Sequence, residues 1–579
     1  EYQGGNLFRI RRSTLESKDI KPSPRAGEPK YRFNWNTPIH IGPGTGALYY
    51  ASQFLFRSRD KGDSWERLSP DLTTNDPAKQ RQNESGGLTL DNSTAENHCT
   101  IFWVAESPKN PNLIWAGTDD GNLQITRDGG KTWTNVVGNV PGLPKNTWVS
   151  SIEAGHFDEA VAYATFDGHM TGDMKTYVYK TADYGQTWQA IASPEIRGYA
   201  HVVKEDLVSP DLLFVGTEFG LWVSVDGGRQ WGRFTAGLPA AAVRDMAIHR
   251  RDHDLILATH GRGLYIVDDI TPLRKLTAAV LNADAAFLES RPSPMVIPVF
   301  EFGFNGDAEF VGASPGETAF ITYYLKRRHM FGDLKLEIYD SQGALLSTVP
   351  GGKRRGINRV EWPMRAKAPR TATGAGLVPS LYSLMGPRVA EGAYTVKMIK
   401  DKDTYTSEVR LVLDPRSTHS AADRARQRET AWTLYRMVER LAYLTDALAD
   451  ARNQARARAE KLPAADALRT LLEKLADTLE SQRVALVASK QGEGISGEEK
   501  LREELGALYG NVNGYEGRPS DSQINRMGVL AKQLDDAAAA FDATMAKEAT
   551  ALNAQLAKKK IDPIVKLTPE AWNTRGERR

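Results

Sequence analysis

Ser224-Val-Asp226-Gly-Gly228-Arg-Gln230-Trp231 is the last of four near-copies of one short phrase. The others are Ser58-Arg-Asp60-Lys-Gly62-Asp-Ser64-Trp65, Thr126-Arg-Asp128-Gly-Gly130-Lys-Thr132-Trp133 and Thr181-Ala-Asp183-Tyr-Gly185-Gln-Thr187-Trp188. Asp, Gly and Trp hold fixed register in [S/T]-x-D-x-G-x-[S/T/Q]-W. The pattern predicts a hairpin turn in which Asp accepts backbone N–H groups, Gly takes a positive φ and Trp packs the turn onto its neighbour.

Around each box the residues repeat an order. An apolar strand such as Thr100–Ala105 leads to a Pro/Asn turn (Ser107–Asn112). A second strand, Leu113–Gly117, and a tight turn, Asp119-Asp120-Gly121, precede the third strand, the box and a fourth strand. The box aspartates lie 68, 55 and 43 positions apart. Four short antiparallel strands at such a period predict β-propeller blades, about six of them, the first lacking its inner strands. Residues 243–270 keep three strands without a box.

The boxes resemble the Asp-box, or BNR repeat, of propellers such as sialidases, sortilin-type receptors and tandem-propeller xyloglucanases. Leu255–Arg274, Trp115–Asn122 and Asn34–Pro38 resemble a bacterial family of long exported proteins called sortilin-like or BNR-repeat glycosyl hydrolases. That resemblance implies a further N-terminal portion of the same protein and an extracytoplasmic location, periplasmic, cell-surface or secreted. The opening Glu1–Ile10, without an initiator Met, reads as an entry partway through a blade.

Blade order separates scaffold from candidate site. If the first strand starts at the top face, the boxes fall on the bottom rim. Asp60, Trp65, Asp128, Trp133, Asp183, Trp188, Asp226 and Trp231 are then structural. The top mouth, where ligands of such folds sit, receives the second-to-third turns and the starts of the inner strands. These supply Asp119, Asp120, Glu218, His260 and Arg262, and Trp35, Asn36, His98, Trp148, Tyr199, His201 and Arg244.

The expected function is binding of a protein, peptide or glycan at that mouth. An alternative is glycoside hydrolysis by paired acids, with Asp119, Asp120 and Glu218 as the catalytic candidates. Inverting hydrolysis needs two carboxylates about 6.5–9.5 Å apart. A third reading is a structural subunit of a larger envelope or extracellular assembly. The arginine triad and Tyr–Glu pair of a sialidase are not assembled here. Gly312-Ala-Ser314-Pro315-Gly316 satisfies G-x-S-x-G, but Pro315 has no N–H for an oxyanion and a strand follows.

The rest of the chain changes character. Residues 272–295 read as a linker, the turn-rich Ser290–Pro294 within them as a linker or a crossing strand. Residues 296–415 read as an Ig-like β-sandwich, with strands at Pro298–Phe304, Thr318–Lys326, Leu334–Tyr339, Ile357–Trp362, Gly392–Lys400 and Thr404–Leu413. Residues 366–388 form a long loop that is either mobile or packed on a partner. From 416 to 579 the composition predicts amphipathic helices, Ala421–Leu462, Ala464–Ser489, around Leu501–Leu508 and Ser520–Lys559, forming a bundle.

The 579 residues are 41% hydrophobic and 25% charged, with net charge +2, a balance that gives no electrostatic case for nucleic acid or an anionic membrane. The arginines at 452, 456 and 458 read as a solvated helix face. One cysteine, Cys99, excludes an intrachain disulfide and a thiolate cluster. No metal, cofactor or membrane span is expected.

Overall fold

The computed structural model describes residues 3–297, 316–375, 380–490 and 498–576. The chain is mostly β, built of small antiparallel sheets with a helical C-terminal region, and divides into Glu1–Asn282 and Ala283–Arg579.

In the first unit, five sheets follow in chain order, four of four strands and a last of three, each a simple antiparallel meander. Their innermost strands are Ile39–Ile41, Ile101–Glu106, Trp148–Ala154, Ala200–Glu205 and Val243–Ile248, set side by side in a propeller-like array. A separate apolar core fills each gap between neighbouring sheets. Trp115, Val149 and Trp188 belong to the core between sheets two and three, and Val202, Phe214 and Leu257 to that between four and five. A two-stranded sheet, Phe8–Ile10 with Ser17–Asp19, packs through Leu7 and Ile20 on the first sheet. With it the expected count of about six sheets is met.

The four boxes fold as their residues demand. Asp128 Oδ1 accepts the Thr132 N–H at 2.9 Å and the Thr126 hydroxyl at 2.8 Å, while Oδ2 accepts the Thr132 hydroxyl at 2.6 Å. Asp60 and Asp183 repeat this with Ser64 and Thr187. In the fourth box Gln230 stands where the others have a hydroxyl, and Asp226 keeps the Gln230 N–H at 2.9 Å. Gly130 takes φ +100° with the Leu68 carbonyl 2.7 Å from where a Cβ would stand, so a side chain is excluded there.

The box tryptophans tie each sheet to the one before it. Trp65 donates to the Ile20 carbonyl at 2.7 Å, Trp133 to Leu68 at 3.3 Å and Trp231 to Ile191 at 2.7 Å. Each acceptor is the residue after its sheet's outermost strand, so Phe8–Ile10 and Ser17–Asp19 occupy the place of strands three and four. Trp188 instead sets its ring edge-on to Trp115 at 5.9 Å, its indole nitrogen unpaired.

Hydrogen bonds to the ionised form hold the Asp60 and Asp128 carboxyls down to about 2, the largest cause being the Ser64 or Thr132 hydroxyl. An acid depressed by folding contributes stability that is present above its ordinary value, 3.8, and lost as pH falls through about 2. Asp128→Ala is therefore expected to lower the melting temperature at pH 7 and to flatten its fall between about pH 4 and pH 2. Scanning fluorimetry across that range checks this; an acid slope identical to wild type contradicts it.

In the second unit, a three-stranded sheet (Ala285–Leu288, Ala319–Leu325, Gly356–Trp362) and a five-stranded sheet share one core around Trp362, Leu336 and Val396. The predicted strands at 318–326, 334–339, 357–362, 392–400 and 404–413 form within a residue or two; Pro298–Phe304 lies outside the described residues, as do positions 312–315 of G-x-S-x-G. The expected linker 272–295 is corrected in its second half. Ala285–Leu288 pairs with Leu325–Thr322, and Ser293–Met295 runs parallel to Leu411–Leu413. Ser293–Met295 is thus the crossing-strand alternative for Ser290–Pro294, and Pro294 is tolerated because this strand is at a sheet edge, where a missing N–H costs nothing.

The main helices are Ala421–Ala459, Ala467–Leu486, Leu501–Asn513 and Asp521–Thr544, the last continuing through a π turn, Met545–Ala549, into Thr550–Lys558, and a short helix, Pro569–Gly576, follows in the tail. Ser420 caps the first and a Ser520/Gln523 capping box opens the fourth. The described part of the 366–388 loop packs on them: Tyr509 donates to the Met385 carbonyl at 2.7 Å, and Asn513 to the Tyr382 carbonyl at 2.9 Å. The tail docks too, with Trp572 buried and its indole donating to Asp446 at 2.7 Å. Arg452 pairs with Glu480, Arg456 lies 3.7 Å from Asp477, and Arg458 donates to the Asp562 and Pro563 carbonyls.

Candidate functional site

The inner strands of all five sheets converge on one cavity of about 820 Å³, entered by Asn36 and His40, Phe102 and Trp103, Trp148, His201 and Lys204, and Arg244 and Asp245. The turns between second and third strands join them, bringing Asp167 and His169 from the third sheet and His260 from the fifth. The boxes lie at the opposite ends of the sheets. The Gly129 N–H donates to Asn112 and the Gly227 N–H to Asp211, both at 2.9 Å, placing each box beside a first-to-second turn.

One wall is aromatic. Trp148 meets Phe102 edge-on at 4.9 Å and His98 at 6.3 Å. Next to Trp148 on the same sheet, His169 stacks flat on Tyr199, 4.3 Å apart and 7° from parallel, and Tyr199 meets His201 edge-on. Such rings present flat apolar faces at low entropic cost.

The polar groups form pairs. His201 Nε2 lies 2.9 Å from Glu218 Oε2, and Arg244 lies 3.9 Å from the same carboxylate and 3.5 Å from His201 Nδ1. With Glu218 accepting, the proton belongs on Nε2 and Nδ1 is left as an acceptor facing Arg244. Burial lowers the His201 pKa, against the pull of Glu218, and keeps the ring neutral. Burial opposes ionisation of Glu218, but His201 and Tyr199 outweigh it and hold the carboxyl below its usual range. Tyr199 is pushed up to about 12 by burial and then by Glu218. Asp167 accepts from the His169 ring at 2.7 Å and from its N–H at 2.9 Å.

On the inner wall Lys204 Nζ donates to Glu153 at 2.7 Å, and His156 meets the other Glu153 oxygen at 3.0 Å. Burial disfavours the Glu153 charge, yet Lys204 and His156 together carry its carboxyl below the ordinary value. His40 is held neutral, its pKa depressed to about 4 by burial and then by the Lys204 charge, and its Nε2 accepts the Glu106 N–H at 3.2 Å.

Asn36, Trp148, His201, Arg244 and His260 line the cavity as the blade order predicts, with Tyr199 and Glu218 directly behind them. Arg262 and Trp35 are exposed and outside its lining. Asp119 and Asp120 are buried at 2% and 0% exposure and stand apart from it. Asp119 accepts from Thr100 N–H at 2.8 Å, its hydroxyl at 2.6 Å and Asn34 at 3.0 Å. Asp120 accepts from the Thr74 N–H and hydroxyl and from the Thr118 hydroxyl. Both are turn staples, and burial pushes the Asp119 carboxyl up to about 6.

Sequence reasoning missed His40, Glu153, Asp167, His169, Lys204 and Asp245. Asp167 and His169 were accessible, since Asp167-Gly-His169 is the third sheet's second-to-third turn. Glu153 and Lys204 each sit one residue from the end of an inner strand, where nothing local tells the cavity-facing side from the core-facing one. Among the described residues no group of acids, histidines and cysteine is arranged to hold a metal ion, and no helix is long and apolar enough to cross a membrane.

The fold and the cavity define a propeller-like protein with a mouth site. No family model matches the chain, and no curated protein matches it. Similar solved structures include the GH74 xyloglucanase of Xanthomonas campestris, at 19% identity over 44% of this chain and 39% of that one, TM-score 0.32. The GH74 enzyme of Niastella koreensis shares 14% over 65% and 57%, TM-score 0.29. YCF48 of Cyanidioschyzon merolae shares 13% over 46% and 76%, TM-score 0.29. The matched part spans only about 39% and 57% of the two GH74 chains.

Proposed function

We propose that this protein is a binding module that takes a segment of peptide, protein or glycan into the mouth cavity without turning it over. The observation that carries this is the state of the cavity's polar groups. Glu153, Asp167 and Glu218 are each engaged by a neighbouring Lys or His, so they serve as fixed acceptors rather than free acids and bases. The rings of Trp148, Phe102 and His169 supply the faces on which a sugar or side chain stacks.

Capture by the full chain on peptide and glycan arrays tests the reading. Trp148→Ala and Arg244→Ala are each expected to weaken the captured ligand roughly tenfold or more. Failure of wild type to capture from either array, or unchanged affinity in both variants, sinks it.

One observation favours the hydrolytic reading. Asp245 lines the cavity with an exposed side chain, and its partial desolvation there raises its carboxyl above the ordinary range against the pull of Lys204, the direction a general acid needs. Release of reducing ends from a glycan panel that disappears in Asp245→Asn would select that reading. The extracytoplasmic location, the larger assembly and the Ig-like nature of the sandwich belong to the same proposal; the two sheets packed around Trp362 support the last.

A further inference from the structure

At one end of the sandwich two loops lie together. One, residues 326–333, joins Ala319–Leu325 to Leu334–Tyr339, and the other, residues 351–355, joins Leu345–Pro350 to Gly356–Trp362. They are firmly fastened. The His329 N–H donates to the Lys353 carbonyl at 3.0 Å, and Lys353 Nζ donates to the Gly332 carbonyl at 2.7 Å. Tyr323 donates to Gly352 at 2.6 Å, and Asn358 clasps the Arg354 backbone from both sides at 3.1 and 2.7 Å.

Held in this way, the loops present Arg327, Arg328, Arg354 and Arg355 to solvent, and none of the four makes an ion pair among the described residues. Beside them Met330 is 61% and Phe331 84% exposed, with Ile357 at 41%. The acids at this end do not cancel the charge. Asp284 is bonded by Lys400 at 2.8 Å and also feels Arg327, Asp401 stands 3.7 Å from His329, and Asp333 and Asp403 complete the acids here, against four arginines with Lys353, Lys400 and Lys402. Exposed apolar side chains on loops that also carry several unpaired guanidinium groups have the composition of an interfacial anchor.

We infer that this end of the sandwich docks on an anionic lipid surface, with the four arginines at the phosphates and Phe331 and Met330 entering the headgroup boundary. Both apolar side chains project from the same loop that carries Arg327 and Arg328, so bare apolar and cationic groups stand together. A headgroup boundary takes up both kinds of group at once, which favours a bilayer over an acidic protein as the occupant. Each arginine near an anionic surface contributes about fivefold in affinity.

Co-sedimentation of the full chain with vesicles tests this. Vesicles of phosphatidylcholine mixed with phosphatidylglycerol are expected to capture the protein, pure phosphatidylcholine is not, and added salt weakens the capture. Arg327→Gln with Arg328→Gln is expected to lower affinity roughly 10- to 30-fold, and Phe331→Ser roughly tenfold. These side chains are exposed, so circular dichroism of the variants matches wild type. Absence of capture, equal capture by uncharged vesicles, or undiminished capture of the variants overturns the inference. Binding to polyglutamate without vesicle capture also overturns it, and assigns the surface to an acidic protein.

Discussion

Trp115→Ala is expected to destabilise the first unit by about 3–5 kcal/mol, a large fraction of the stability an ordinary domain possesses. Trp115 has no exposed surface and stands in the core between the second and third sheets. Its ring end approaches Gly185 of the third box, where a Cβ would lie 3.2 Å away, and Trp188 meets it edge-on. Truncation opens a cavity that neither sheet can close, because each is anchored by its own hydrogen-bond ladder and box. Urea unfolding followed by tryptophan fluorescence checks this, with Trp35→Ala, 39% exposed, as the control. A midpoint for Trp115→Ala as close to wild type as the control's would refute the packing argument. Because the third sheet carries Trp148, Asp167 and His169, ligand capture should weaken with it.

The second large effect is expected at the inner wall. Lys204→Met leaves Glu153, 7% exposed, with its main countercharge removed, and should cost about 3 kcal/mol. Since Lys204 is what overcomes the burial of Glu153, its loss lets the carboxyl titrate upward, so the damage grows from acid to neutral pH. The pair Glu153→Gln with Lys204→Met is expected to recover much of the loss, because the cost lies in an uncompensated charge. A double variant as unstable as Lys204→Met would show instead that the lysine acts through its packing. His40 supplies a second readout. Its pKa of about 4 is depressed partly by the Lys204 charge, so it should rise in Lys204→Met, which an NMR titration would register.

Asp119 carries the opposite linkage to the boxes. Its folded carboxyl stands at about 6 against 3.8, so the stability it contributes is present below 3.8 and fades as pH rises through about 6. A turn staple behaves this way when its surroundings are buried, and a box aspartate, facing water, does not.

The architecture of the sheets was legible because its determinants are local. Asp128 bonds to residues two and four positions away, and Gly130 and Trp133 are fixed by the same turn. The helices announced themselves through Ser420, Pro463 and Ser520 and their apolar spacing. Blade order further placed His201, Arg244 and His260 at the mouth, since strand direction alone determines which turns meet there.

The cavity itself was decided by tertiary structure. Glu153 meets Lys204 across 51 positions, and Asp119 meets Asn34 across 85. An Asp-Asp-Gly turn reads the same whether its carboxylates face a ligand or close on Thr74 and Thr100. The four boxes, by themselves, determined the turns, the meander and the rim on which no ligand is expected. Which acids stay free, which are paired and which face the mouth depended on how neighbouring sheets abut, because a side chain's charge and exposure are set by partners that its own strand does not contain.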